Sequence, residues 1–230
     1  MKKSIAYILI ALVVISAGTV LYNIFLNSPG QKVKWEKVEL EKKALPSKDV
    51  DVSGIVTLWS DSDNEKLYLY DQGTDKVFGV FFIHGKEYPL GQVSMKLGHL
   101  HNDIKHETLF GDGSYRVDGV MGIDYPIITY YKIENKQPYE ILSIEAKVQE
   151  LDVNGDGQKE LISARGTPTE TKIYSYKNKT LKVAQLNEQL DAISVTFENP
   201  YRFLVYSEEQ GQAIYELRDD HLVKVKEETE

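Results

Sequence analysis

The chain has 230 residues, with 27 Lys and Arg against 35 Asp and Glu for a net charge of −8, a pI near 5.3, and no cysteine. The missing cysteine excludes disulfide scaffolds, Cys-ligated zinc, iron–sulfur sites, catalytic thiols and a lipid-modified N-terminal cysteine. The acidic balance argues against nucleic acid as a partner, because binding phosphates needs a basic face that releases counterions.

At the N-terminus Lys2 and Lys3 precede an apolar run, and no further charge occurs until Lys32. A helix of about 20 apolar residues crosses the hydrocarbon core, and Ser4 to Leu26 is long enough. The lysine pair stays on the cytoplasmic side, so the rest of the chain is exported. Residues 1–27 therefore read as a signal-anchor transmembrane segment. The alternative is a signal peptide cut between Gly18 and Thr19, although Val20 to Leu26 continues the apolar run past that point. Both readings place the bulk of the chain outside the membrane. The combination of an anchor, no cysteine and an exported domain resembles Gram-positive bacterial surface proteins.

Asn27-Ser28-Pro29-Gly30 breaks the helix. The charged stretch that follows sustains neither a strand nor a helix period, because Val33 and Trp35 alternate on one parity and Val38 and Leu40 on the other. Residues 28–49 read as a charged stalk, or as a short solvated helix on the membrane surface. Residues 50–230 read as one β-rich extracytoplasmic domain.

Within that domain β-branched and aromatic runs alternate with turn residues. Strands are expected at Gly54–Trp59, Lys66–Tyr70, Lys76–Ile83, Tyr125–Ile133, Ile144–Leu151, Glu160–Ala164, Thr171–Tyr176, Leu181–Gln185, Ala192–Phe197, Arg202–Tyr206, Gln212–Leu217 and Leu222–Lys226. Gly91 to Phe110 lacks the pattern, and one short helix is expected within Lys96–Thr108. Ile173-Tyr174 and Leu181 recur as Ile214-Tyr215 and Leu222, an offset of 41 residues, and Leu69-Tyr70 with Val77 shares the internal spacing. Four short strands per unit of about 40 residues is the pattern of a propeller blade. The expected fold is therefore mainly β, with propeller-like or repeated four-stranded antiparallel units after the N-terminal helix; a β-sandwich is the alternative.

The strongest local signal is Leu151-Asp-Val-Asn-Gly-Asp-Gly-Gln-Lys-Glu-Leu-Ile162. A hard cation such as calcium takes six to eight oxygens, and a loop with oxygen-bearing side chains at every second position before a glycine turn can wrap them around one ion. Asp152, Asn154 and Asp156 occupy the first, third and fifth positions, Gly157 turns the chain, Gln158 offers its main-chain carbonyl, and Glu160 stands at the ninth. An EF-hand needs a bidentate Glu at the twelfth position, where this chain has Ser163, and helical flanks where this chain has strands. The ion-free reading is turn chemistry, since Asn-Gly and Asp-Gly favour tight hairpins.

Over Ile144 to Gln185 the loop and its following Leu161-Ile162 resemble the calcium loops between strands of FG-GAP and VCBS-type repeats. That resemblance implies propeller blades, bound calcium, and a binding or structural role at cell surfaces. It also implies that Asp152, Asn154, Asp156 and Glu160 are side-chain ligands and Gln158 a main-chain ligand. The chain departs from the pattern in lacking the Phe-Gly pair, in carrying Ala164-Arg-Gly-Thr-Pro168 where Gly-Ala-Pro would stand, and in having one such loop.

Four of the five histidines, His84, His99, His101 and His106, form a second cluster. His99-Leu100-His101-Asn102-Asp103 resembles the His-x-His-x-Asp-His zinc motif of metallo-β-lactamase-like hydrolases, with Ile104 in place of the last ligand and without the alternating α and β layers of that fold. No Gly-x-Ser-x-Gly elbow, phosphate loop, dinucleotide fingerprint or His-Glu-x-x-His occurs. Two functions are carried forward. The first is a membrane-anchored calcium-binding β module with a structural or interaction role at the cell envelope, facing a protein or cell-wall partner. The second is a small envelope hydrolase using the His99–His106 segment or an acidic pair.

Overall fold

A computed structural model describes residues 30–62, 64–96, 103–106, 108–122, 125–198 and 201–225. The segment that carries the anchor and signal-peptide readings lies outside these residues; among the described ones no helix is long and apolar enough to cross a membrane.

The described chain is mainly strand. It begins with three short strands, β1 (Gln31–Lys32), β2 (Glu36–Val38) and β3 (Lys43–Ala44). Four antiparallel meanders follow in chain order. Sheet I holds β4 (Ile55–Ser62), β5 (Glu65–Asp71), β6 (Lys76–Ile83) and β7 (Lys86–Met95). Sheet II holds β8 (Asp103–His106), β9 (Ser114–Val120), β10 (Pro126–Glu134) and β11 (Gln137–Ile144). Sheet III holds β12 (Lys147–Leu151), β13 (Glu160–Arg165), β14 (Glu170–Lys177) and β15 (Thr180–Gln185). After the one-turn helix α1 (Leu186–Gln189), sheet IV holds β16 (Ser194–Glu198), β17 (Arg202–Ser207), β18 (Gly211–Arg218) and β19 (His221–Val225). Among the described residues the four sheets do not close into a barrel.

Two-residue turns set several registers. His84-Gly85, Asn135-Lys136 and Asn178-Lys179 all have positive φ, the geometry whose twist matches the flanking strands, and they join Ile83 to Lys86, Glu134 to Gln137 and Lys177 to Thr180. The repeat is structural in its second and third copies. Ile173 pairs with Ala184 and Tyr176 with Leu181, as Ile214 pairs with Val225 and Leu217 with Leu222, so the 41-residue offset relates the last two strands of sheets III and IV in one register. Leu69-Tyr70 and Val77 fall instead on the second and third strands of sheet I.

Successive sheets pack face to face. Leu67, Leu69, Val77, Phe81 and Ile83 of sheet I meet Tyr115, Val117 and Tyr131 of sheet II. Ile128, Tyr130 and Ile141 of sheet II meet Leu161 and Leu181 of sheet III. Ile162, Ile173 and Ala184 of sheet III meet Val195, Phe203, Val205 and Leu222 of sheet IV. Alternation explains why Leu161 and Ile162, adjacent on β13, serve different clusters: neighbouring side chains point to opposite faces. Sheets I and II approach so closely at Gly119 that a Cβ there would lie 2.0 Å from the Val93 carbonyl oxygen.

The stretch read as a stalk is, from Gln31 to Ala44, hydrogen-bonded into the domain. β1 pairs with β19, β2 with β15 and β3 with β11, and the Lys48 N–H then donates to the Glu87 carbonyl on β7 at 3.0 Å. The segment thus crosses the last strand of sheets IV, III, II and I in turn. Its periodicity is broken because each short strand pairs with a different sheet, and only isolated side chains such as Val33 and Leu45 reach the core. Within the expected helix at 96–108, residues 103–106 are instead strand β8. Ile104 and His106 turn inward between exposed Asp103 and Lys105, a period of two that no helix satisfies.

Candidate metal loop and its surroundings

The loop 152–159 joins two paired strands, since Leu151 stands opposite Glu160 in the β12/β13 register. Gly155 and Gly157 have φ of 77° and 83°, the left-handed region that favours glycine and lets the chain curl over its own side chains. Asp152 organises the curl. Its Oδ1 accepts from the N–H groups of Gly155 at 2.8 Å and Asp156 at 3.1 Å, and its Oδ2 accepts from Gly157 at 2.8 Å. Asn154 Oδ1 accepts from the Asp156 N–H at 3.0 Å, and Asp156 Oδ1 from the Gln158 N–H at 2.9 Å.

Under this curl Glu160 is fully buried. Its Oε2 accepts from the Val153 N–H at 3.2 Å, while its Oε1 takes the Asn154 Nδ2, which also donates to Asp156 Oδ2, both at 3.2 Å. Burial, then the charge of Asp156, push the Glu160 carboxyl up to about 7, against the opposing Val153 N–H. Lys177 at the end of β14 donates to Asp156 Oδ2, and this bond holds Asp156 below the usual carboxylate range. Burial pulls the Lys177 ammonium down, but the Asp156 carboxylate outweighs it and leaves the pKa raised.

The structure therefore brings Asn154, Asp156 and Glu160 together through one amide, and leaves Asp152 facing main-chain donors. Gln158 contributes its N–H to the curl and is exposed. Asn154 Nδ2 bridges the Asp156 and Glu160 carboxylates, and Lys177 Nζ is paired with Asp156. Among the described residues no three His, Asp or Glu side chains are gathered in a metal-holding arrangement.

The histidines take different places. His84 occupies a tight turn and is exposed. His99 and His101 lie outside the described residues. His106 packs against aromatic rings, 4.5 Å from Trp59 and 4.8 Å from Tyr115 between centroids.

Sequence reading missed a buried ion network between sheets II and III. Arg116, 3% exposed, donates from Nε and Nη2 to the two oxygens of Asp118 at 2.5 and 2.8 Å. Its Nη1 reaches Glu150 Oε1 at 3.4 Å, which also accepts from the Tyr130 hydroxyl at 2.8 Å. Arg116 and Asp118 share one strand face at a spacing of two, a pattern that on its own signifies a solvated side of a sheet. In comparisons with known proteins, no family model, curated protein or solved structure matches the chain.

Proposed function

We propose that this chain is a membrane-anchored, extracytoplasmic β module of propeller-like construction, in which calcium braces the Asp152–Glu160 loop and the outer surface serves a structural or interaction role at the cell envelope. The propeller-like reading is supported by four consecutive four-stranded meanders packed face to face in chain order. The anchor rests on the sequence from Ser4 to Leu26. The partner is a protein or a cell-wall component.

The observation that carries the calcium reading is Glu160. A carboxylate buried near Asp152 and Asp156 costs free energy whenever it ionises, and a divalent cation would remove that cost once the Asn154 amide turns its oxygen inward and Asp152 exchanges main-chain donors for the ion. The donor set is chemically suited, because every candidate atom is a hard oxygen. Asp152, Asn154, Asp156 and Glu160 would hold the ion through side chains and Gln158 through its carbonyl. Bound calcium would supply a fixed positive charge that ties the loop to the buried end of β13. With three carboxylates and no bidentate twelfth ligand, the affinity falls on the order of 10⁻⁴ to 10⁻³ M, a range for extracellular brace sites.

The test is a thermal melt of the full-length chain in detergent, with EDTA, with millimolar calcium and with zinc. An ion that binds only the folded state raises the melting temperature by mass action. Calcium is expected to raise it, Asp156→Ala to abolish the rise, and His101→Ala to leave it intact. No response to calcium would reduce the loop to tandem tight turns, and a response to zinc alone would move the function to the His99–His106 segment and the hydrolase reading.

A further inference from the structure

A second feature stands apart from the acidic loop, on the opposite face of sheet III. Between sheets II and III, beneath residues 37–42 of the N-terminal segment, lies a cavity of about 820 Å³. That volume is within the range of about 300 to 1,000 Å³ that small-molecule pockets span. Its floor is apolar and partly aromatic, with Phe110, Ile141 and Leu181 buried and Tyr176 meeting Phe110 edge-on at 4.9 Å.

The charge of the lining runs against that of the chain. Lys37, Lys42, Lys132 and Lys179 line the cavity with Glu39 and Glu134, an excess of two positive charges in a protein of net charge −8. Glu134 is taken up by Lys42, which donates to both its oxygens at 2.7 Å. Lys132 is different. It is half-buried on the face of β10 that bears Ile128 and Tyr130, and its Nζ donates to the Phe110 carbonyl at 2.8 Å. Among the described residues no carboxylate lies within ion-pair distance of Lys132 or of Lys179 at the exposed turn. At the edge of the apolar floor the Lys132 ammonium thus has a neutral main-chain carbonyl as its partner and no counter-ion among the described residues.

The geometry points to this cavity as a binding site for an organic anion, a carboxylate or phosphate carried on an apolar or aromatic body. The acidic group pairs with Lys132 and Lys179, and the body lies on Phe110 and Tyr176, gaining burial that inorganic anions cannot. Because residues 37–42 form one wall, an occupied site also fixes the N-terminal segment against sheets II and III.

The test is calorimetric titration of the full-length chain in detergent with four probes: 1-naphthyl phosphate, 2-naphthoate, neutral 2-naphthol and inorganic phosphate. One-to-one binding is expected for at least one of the two naphthyl anions, with 2-naphthol and inorganic phosphate each weaker by about tenfold or more. Lys132→Met is expected to remove most of that preference for the anion while leaving 2-naphthol unchanged. If Lys132→Met does not fold, Lys179→Glu at the exposed turn decides, with an expected loss of about threefold or more in anion affinity. Binding of 2-naphthol as tight as that of the anions would make the cavity a plain apolar groove. Equal binding of inorganic phosphate would make it a diffuse charged patch. Absence of anion binding, or anion affinity unchanged in the deciding variant, would overturn the proposal.

Discussion

Lys177 donates to the same Asp156 carboxylate that the candidate calcium loop would turn toward its ion. The lysine comes from the end of β14, one sheet strand beyond the loop, and acts as an internal counter-ion. A calcium ion must displace or share it. Lys177→Ala is therefore expected to tighten calcium binding severalfold, because the competing charge is gone. The same change should cost the ion-free protein no more than about 1 kcal/mol, as the pair is partly exposed. Calcium titration by calorimetry reads the first effect and urea unfolding in EDTA the second. An affinity that stays put would mean the ion does not approach Asp156.

Glu160 makes stability depend on pH with a definite sign. Its folded pKa of about 7 lies above the ordinary carboxyl value of 4.5, so the folded chain holds a proton that the unfolded chain has released in the window between them. Its contribution is therefore most favourable below 4.5, declines as pH rises through the window, and levels off above about 7. In EDTA the wild-type protein should lose more stability between about pH 5 and about pH 8 than Glu160→Gln does. Saturating calcium should shrink or reverse that difference and release protons on binding, since the ion requires the carboxylate. Parallel wild-type and Glu160→Gln profiles in EDTA would show that the buried carboxyl titrates normally.

The strand content of sheets III and IV was legible because hairpins declare themselves locally: Lys177-Asn-Lys-Thr180 sets its own register, and the 41-residue offset marks equivalent strands. The loop was legible for the same reason, since five successive alternate positions carry its chemistry. What escaped depends on distant chain. Nothing near Lys177 indicates that it will meet Asp156, 21 residues earlier. Arg116 and Asp118 read as a solvent face until β12 brings Glu150 over them. β1, β2 and β3 have no period of their own because their partners lie 95 to 191 residues away in three different sheets.

That N-terminal segment should prove structural. It covers the outer edges of β19, β15 and β11, whose unpaired N–H and C=O groups would otherwise template association with another chain. Val33 and Leu45 add buried apolar anchors, at 3% and 6% exposure. A chain lacking residues 30–45 is expected to melt lower and to form concentration-dependent oligomers in size-exclusion chromatography with light scattering. If it runs as a monomer with an unchanged melting temperature, the segment is a stalk in function despite its pairing.

Arg116 offers the sharpest test of the interface between sheets II and III. Burial opposes its charge, but Asp118 above all, then Tyr130 and Glu150, reverse the balance, and the guanidinium pKa is raised. Arg116→Met keeps the stem's apolar packing and removes the charge, leaving Asp118 and Glu150 facing one another beside the Tyr130 hydroxyl. Breaking a buried pair from one side costs about 3 to 5 kcal/mol when the remaining charge is left unpaired; here Asp118 keeps Lys105 at 3.7 Å and Glu150 keeps the Leu109 N–H at 3.2 Å, so a cost at or below the lower end, about 3 kcal/mol, is expected. Adding Glu150→Gln should then restore part of the loss, since the neutral amide can still accept from Tyr130 without carrying a charge. Urea unfolding of the two single variants and the double variant gives the coupling directly. A cost below about 1 kcal/mol for Arg116→Met would place the network in contact with solvent, where ion pairs contribute that little.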